Sequence, residues 1–428
     1  MSGEPPCSYP EEEFDEPCDT VGQVMSASFW IHLSMSMILA ISCIAVGFLE
    51  HMGLGGTAKR AIMMSSYEIV ISTGFVVVAM IIARKAPVAF QHMAAGGTIL
   101  LLLLYALFIA TYNYLISILM VLVSLFLGWR YWRGRASYQF SGQLLRATCI
   151  CADANPGLYY IPPIGALLIY FYVQLAILAW AGFLAALPDS LQAYSYYIAI
   201  YLFMNIFWTC QVILGTLRSI TARVYANFFT TTGAPPSGLM RSVVKDTLSH
   251  GMDNICVGSA AVLLISAVYS VLRWSLGLFI ISLSSTQPRA FNYFAFNHIT
   301  DRRPFMQSSR ETWDTVQSTG VMAVYSANTV SYSLSQATSM IALLSAFLTI
   351  FSRILIFGAD ERQSVLMFLE LCVFGAVIPT LFFMILDHGH LSMLIALAEQ
   401  PEKVKKRAPR LFETLERTFP QLSEVENC

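Results

Sequence analysis

Two rows of polar and aromatic residues run through otherwise apolar stretches of this sequence. Tyr194, Tyr197, Tyr201, Asn205 and Trp208 follow one another at intervals of 3, 4, 4 and 3. That spacing puts all five on one face of a helix. Tyr325, Thr329, Tyr332, Gln336 and Ser339 repeat the pattern at 4, 3, 4 and 3, with Asn328 and Ser335 beside them. Tyr170 and Gln174 add a shorter pair, and Tyr112, Asn113 and Tyr114 form a polar corner. None of these groups contains a carboxylate. They offer π-faces and neutral hydrogen-bonding atoms, which suit a weakly hydrated cation. A quaternary ammonium has no N–H to donate, so aromatic faces are its natural ligands, at about 0.5–2 kcal/mol per contact. Asn and Gln can receive an accompanying hydroxyl. The candidate binding residues are therefore Tyr197, Tyr201, Asn205, Trp208, Tyr325, Asn328, Tyr332, Gln336, Tyr112 and Asn113. The same residue types also glue helices together inside membranes. Spacing alone leaves a cavity and plain packing both open.

Other chemistry is sparse. Glu68 and Glu370 are the acids that fall in the middle of apolar runs. Each could pair within a bundle, carry a proton for coupling, or attract a cation. Asp387-His388-Gly389-His390 is the His-rich cluster of the chain. Its helical spacing scatters the three polar groups around the axis, and its place beside the basic tail reads as a solvated helix end. No H-E-x-x-H, G-x-S-x-G or phosphate-binding G-x-x-x-x-G-K occurs, so no hydrolytic or phosphoryl-transfer machinery is expected. No cofactor and no metal is expected. The nine cysteines are scattered without a C-x-x-C and read as reduced, buried thiols.

The elements that carry these residues follow from composition. Of 428 residues, 56% are hydrophobic and 12% charged, about half the charge of an ordinary soluble domain, which is near 25%. The mean hydropathy is +0.62. So few charges cannot solvate the outside of soluble domains, and lipid must be the solvent for much of the surface. Soluble enzymes and nucleic-acid binders are excluded on that ground. The net charge of −1 predicts no polyanionic partner.

Runs with at most one Asp, Glu, Lys or Arg and long enough to cross a bilayer, about 20 residues each, occur near 27–49, 61–83 (with Glu68), 86–129, 157–188, 190–217, 254–272, 274–300 (interrupted by Pro288-Arg289), 315–352 and 363–386 (with Glu370). The run 86–129 is too long for one helix and is expected to turn at Thr111-Tyr112-Asn113-Tyr114. The fold expected is an all-α polytopic membrane protein, a bundle of about ten transmembrane helices. With both termini cytoplasmic, nineteen of the 25 Lys and Arg fall on the inner side, as the positive-inside rule requires. Three regions follow: an acidic cytoplasmic tail over 1–26, the bundle over 27–387, and a basic cytoplasmic tail over 388–428. The start of the chain lacks the basic region of a cleavable signal peptide.

Several short stretches then resemble the choline transporter-like family. Gly215-Thr216-Leu217-Arg218 leads into Thr221-Ala222-Arg223-Val224-Tyr225-Ala226-Asn227-Phe228-Phe229. Pro235-Pro236, Arg241-Ser242 and Thr247-Leu248 come next. Ile255-Cys256-Val257-Gly258-Ser259 is similar to the family's G-S-I-C-x-G-S, with Asp253 in place of its first Gly. Asn292-Tyr293-Phe294-Ala295-Phe296 and the segment with Phe305, Ser308, Ser309, Arg310 and Trp313 complete the series. The short connection between the first two spans resembles the compact members of that family, which lack a large external loop there.

The resemblance implies facilitated or proton-exchanging transport of choline, or of ethanolamine, across a membrane, with the plasma membrane favoured over an organelle. Its partners would be a small cationic solute and the bilayer. The residues by themselves reach only a helical transporter with an aromatic cavity. A non-transporting scaffold or lipid-handling protein, a channel, or a transporter of another amphiphilic solute remain the alternatives.

Overall fold

The computed structural model of the chain describes residues 17–45, 55–110, 114–185, 194–231, 238–261, 296, 305–327, 329–357 and 364–418. Every element among them is helical. In chain order these are α1 (Pro17–Ala45), α2 (Gly55–Lys85), α3 (Pro87–Ile109), α4 (Tyr114–Gly134), α5 (Tyr138–Ala154), α6 (Ile161–Ala185), α7 (Ser195–Thr230) and α8 (Leu239–Asp246). A wider turn at Thr247–Gly251 leads into α9 (252–261). After them come α10 (Phe305–Ser318), α11 (Val321–Ala327), α12 (Val330–Phe357), α13 (Ser364–Glu399), α14 (Pro401–Arg407) and α15 (Pro409–Thr418).

Helices are what an apolar chain must form in lipid, because nothing outside can satisfy a backbone N–H or C=O. Five helical stretches among the described residues are long and apolar enough to cross a bilayer: Ser65–Lys85, Pro87–Ile109, Tyr114–Ala154, Pro156–Ala176 and Gly375–Glu399. Their outward faces carry large apolar side chains such as Leu107, Phe108, Leu125 and Phe171, which water would not tolerate over so wide an area.

The run 86–129 is divided as expected: α3 ends at Ile109 and α4 starts at Tyr114, while residues 111–113 of the expected corner lie outside the described residues. One helix is added and three expectations change. Residues 138–154, which lie outside the apolar runs, form α5, a helix whose Tyr138, Leu144, Leu145, Cys151 and Ala152 are all buried. The run 190–217 continues as helix to Thr230, because Ile220, Val224, Tyr225 and Phe229 prolong its buried face. The run 315–352 is not one helix. Gly320, at φ 73°, ends α10 in the left-handed conformation that glycine adopts most readily, and a second break at Thr329 separates α11 from α12. The helix at 363–386 does not stop there; α13 runs to Glu399. The expected spans at 254–272 and 274–300 lie mostly outside the described residues, as do the first tail up to residue 16 and the end of the chain from 419.

α13 is the post of the bundle. It packs against α2, α5, α6, α7 and α12, and Leu381, Phe383, Ile385, Leu386, Met393 and Leu394 are all buried. Close packing needs small residues where helices cross. At Gly389 of α13, a Cβ would sit 2.5 Å from Tyr225 Cζ of α7 and 2.6 Å from Thr148 Cγ2 of α5. Tyr225 is fully buried, and its hydroxyl reaches the Thr148 carbonyl at 3.4 Å, so neither neighbour has room to retreat. Gly389→Ala is expected to cost about 1–3 kcal/mol, the usual range for overpacking. Thermal unfolding of purified protein in detergent checks this; an unchanged midpoint would mean the three helices do not meet at Gly389.

Candidate functional site

The break between α11 and α12 leaves backbone groups without helical partners, and α5 supplies one. Thr329 donates its backbone N–H to Ser141 Oγ at 2.9 Å and its hydroxyl to the same oxygen at 2.7 Å. Its hydroxyl also lies 3.5 Å from Gln91 Oε1 of α3. The Thr329 carbonyl accepts the Ser333 N–H at 2.9 Å, which starts α12. Ser141 and Gln91 are fully buried. A discontinuous helix is tolerated at membrane depth only where protein takes over the freed groups, and broken helices of this kind line substrate sites in many transporters.

Beside the break, the first turns of α12 face α7 and α13 across a cavity of about 190 Å³. Ser331, Ser335 and Thr338 line it from α12, Thr380, Phe383, Asp387 and His388 from α13, and Arg218 from α7. Ligand pockets for drug-sized molecules run to roughly 300–1,000 Å³, so this volume suits a solute of only a few heavy atoms. The lining combines four hydroxyls, one carboxylate and one guanidinium.

α13 presents this chemistry because Pro379 cannot return a hydrogen bond to Gly375. Next to it, Thr380 donates its hydroxyl to the Ala376 carbonyl at 2.7 Å. One helical turn past Phe383 stands the Asp387-His388-Gly389-His390 cluster. It is not a solvated helix end: His390 is 0% and His388 3% exposed. Leu391, Met393, Leu394 and Ile395 continue the buried helix beyond it. His390 Nδ1 lies 3.2 Å from the Leu386 carbonyl, which can only accept, so the ring hydrogen sits on Nδ1. Nε2 then accepts from the Ser331 hydroxyl at 3.3 Å. This bond ties the first turn of α12 to α13 at the edge of the cavity. Asp387 stays partly exposed, at 35% of its side chain. Among the described residues, no three His, Cys, Asp or Glu side chains converge as a metal would require.

A second polar layer crosses α2. Gln174 donates to Ser65 Oγ at 2.9 Å, and Ser66 bonds Tyr170 at 2.8 Å. Glu68 is fully buried and accepts the hydroxyl of Thr349 from α12. Gly375 of α13 closes the layer: a Cβ there would sit 2.9 Å from Glu68 Oε1. The carboxyl is therefore held where α2, α12 and α13 cross.

The candidate residues chosen from spacing do not gather in one cavity. On α7, Tyr197 and Tyr201 are 67% and 54% exposed, and Tyr201 reaches the His32 ring of α1 at 3.2 Å. Asn205 accepts from Thr209 at 3.3 Å. Trp208 meets Phe29 edge-on, with centroids 6.2 Å apart. The break at Thr329 interrupts the helical register, so Tyr325 and Tyr332 belong to different helices. Tyr325 packs against the core. Tyr332 lies 4.3 Å beneath the Arg130 guanidinium. Gln336 is buried, and its carbonyl accepts the Thr98 hydroxyl at 2.8 Å. Tyr112, Asn113 and Asn328 lie outside the described residues. Glu370 belongs to α13, and its side chain is likewise outside what is described.

Arg218, Ser331, Thr338, Thr380, Asp387 and His388 were not singled out as binding residues from the sequence. The signal that could have found the last two is the uncharged apolar run after His390, which shows that the span continues past Asp387.

The sequence matches the family described as plasma-membrane choline transporter over residues 118–402, which holds α5 to α13 and both ends of the cavity. The chain belongs to that family. It is also similar to Protein pns1 of Aspergillus fumigatus, at 19% identity over 253 residues, 53% of this chain and 47% of that protein. The chain thus spans about half the length of the curated relative it matches.

Replacing Ser141 by Ala removes the acceptor of the half-buried Thr329 N–H and leaves the Thr329 hydroxyl only Gln91 Oε1, 3.5 Å away. The expected cost is roughly 1–3 kcal/mol, read as a lower thermal midpoint. A midpoint equal to wild type would show that the break does not depend on this hydroxyl.

Proposed function

We propose that this protein transports choline or a closely related small organic cation across the plasma membrane, through a bundle of about ten spans with both termini cytoplasmic. The observation that carries the reading is family membership together with a small hydroxyl-lined cavity, containing the Asp387 carboxylate, beside an interrupted helix. Asp387 provides the counter-charge for the ammonium, and Ser331, Ser335 and Thr338 are within the same lining to receive the hydroxyl. Phe383 supplies an apolar aromatic wall for the methyl groups. The rows on α7 (Tyr197, Tyr201, Asn205, Trp208) and on α11 and α12 (Tyr325, Tyr332, Gln336), with Asn328, Tyr112 and Asn113, form the wider path in this reading.

Transport would be facilitated or proton-exchanging. Glu68 is our coupling group, because a buried carboxyl held by a hydroxyl at the crossing of three helices can register movement of any of them as a change in proton binding. Glu370, further toward the start of α13, is the second coupling candidate.

Arg218 favours a second reading. A cavity with both a guanidinium and a carboxylate also fits a zwitterion, whose anionic end would meet Arg218. Competition by betaine, which adds a carboxylate to the trimethylammonium, separates the two: cation selectivity predicts weak competition, and a zwitterion site predicts strong competition.

The direct test is uptake of radiolabelled choline by purified protein in liposomes. Saturable uptake that excess unlabelled choline abolishes is expected. A charge-assisted contact contributes roughly 1.5–3 kcal/mol, so Asp387→Asn should raise KM about ten- to hundredfold. An Asp387→Asn protein with wild-type KM would remove this carboxylate from the site. In the same assay, Glu68→Gln is expected to flatten the dependence of uptake on internal pH. A pH profile identical to wild type would make Glu68 structural only.

A further inference from the structure

The far end of α4 carries a cluster that the transport reading does not use. From residue 86 to residue 152 the sequence contains four arginines and no Asp or Glu. Three of them, Arg130, Arg133 and Arg135, fall within six residues at the end of α4 and just past it, and all three are exposed. Among the described residues, none of the three has a carboxylate within ion-pair distance; the pairs present there involve Arg84, Arg223, Lys405 and two histidines. Their partners are aromatic rings instead. The Arg133 guanidinium lies 5.1 Å from the Trp129 ring and that of Arg135 3.8 Å from the Trp132 ring. Stacking of this kind fixes the guanidinium plane while leaving its N–H groups free to bind an anion.

Below the arginines, the outward face of α4 is a continuous apolar track. Leu115, Ile118, Leu122, Leu125, Trp129 and Trp132 recur at 3, 4, 3, 4 and 3. Each is about half exposed or more. Trp129 and Trp132 close the track where interfacial aromatics stand in membrane proteins. A track of acyl-chain length, ending in two tryptophans and then in arginines that lack acidic partners among the described residues, has the chemistry of one kind of molecule.

We propose that the end of α4 binds an anionic glycerophospholipid. Its phosphate and acidic headgroup sit against Arg133 and Arg135, and its acyl chains follow the Leu115–Leu125 track. Charge complementarity selects the anionic lipid over a zwitterionic one, since the site supplies positive charge with no carboxylate to accept a choline headgroup. Arg130 links this surface to the interior, because its guanidinium lies over Tyr332 in the first turn of α12. A bound lipid would thus hold α4 against the helix that begins at the break.

The test is native mass spectrometry of the full chain released from nanodiscs holding equal phosphatidylserine and phosphatidylcholine. Wild type should retain phosphatidylserine preferentially. Each arginine near an anionic surface contributes about fivefold in binding, so Arg133→Gln/Arg135→Gln should lower that preference roughly thirtyfold. Arg146→Gln, which removes an arginine of the same acid-free stretch away from the track, should keep it. Equal retention of the two lipids by wild type overturns the proposal, whatever the variants do. So does a double variant that keeps the wild-type preference, or an Arg146→Gln variant that loses it.

Discussion

A helix inside a bilayer can be interrupted only where other parts of the protein receive the groups that the interruption frees. In this chain that condition falls on one oxygen. Ser141 Oγ accepts both the backbone N–H and the hydroxyl of Thr329, and the cavity depends on the consequence. Because Thr329 is held there, α12 starts at Val330, and its first turn delivers Ser331 both to the cavity lining and to His390. An unbroken helix from 315 to 352 would carry the residues of α12 around its axis to other positions. The hydroxyl-rich face would then not meet Asp387.

The second constraint is the density of packing around α13. Gly389 lets Tyr225 and Thr148 approach the histidine cluster, and Gly375 lets Glu68 reach the same helix further along. Between them Pro379 removes one rung of the hydrogen-bond ladder. The helix that bears the cavity carboxylate is therefore pinned at two crossings and weakened between them. That arrangement suits an element with two positions, because packed interfaces switch between discrete states rather than deform continuously. The polar groups of the cavity lie between those two crossings and at one of them.

Much of the architecture was legible in the sequence. The apolar runs located the apolar helices, and the length of the run 86–129 announced two helices, α3 and α4, rather than one, because lipid demands length and apolarity in a way that composition reports directly. The buried helix α5 was hidden, since Arg146 and several small polar residues gave it the look of a connection. The break at Thr329 was also hidden. No Pro or Gly marks it; what stabilises it is a serine 188 residues away in the chain, and a contact of that kind leaves no local trace. The histidine cluster was misjudged for a related reason. His388 and His390 read as solvated groups at a helix end, yet the helix continues about two and a half turns beyond them, and α5, α7 and α12 pack around it. Helical spacing correctly put Tyr197 and Tyr201 on one face of α7. It could not say which side of the bundle that face looks toward, because aromatic residues serve the lipid boundary and a binding cavity equally well.

In the function proposed above, a cationic solute is held by the Asp387 carboxylate between α12 and α13. The most direct measurement is equilibrium binding of choline to purified protein, set against its neutral isostere in which carbon replaces the quaternary nitrogen. The two have the same shape and hydroxyl and differ only in charge. Choline is expected to bind at least about tenfold more tightly, the equivalent of roughly 1.4 kcal/mol, and this advantage is expected to disappear in Asp387→Asn. Equal affinity of the wild-type protein for both molecules would contradict it, since the cavity would then be reading shape and not charge.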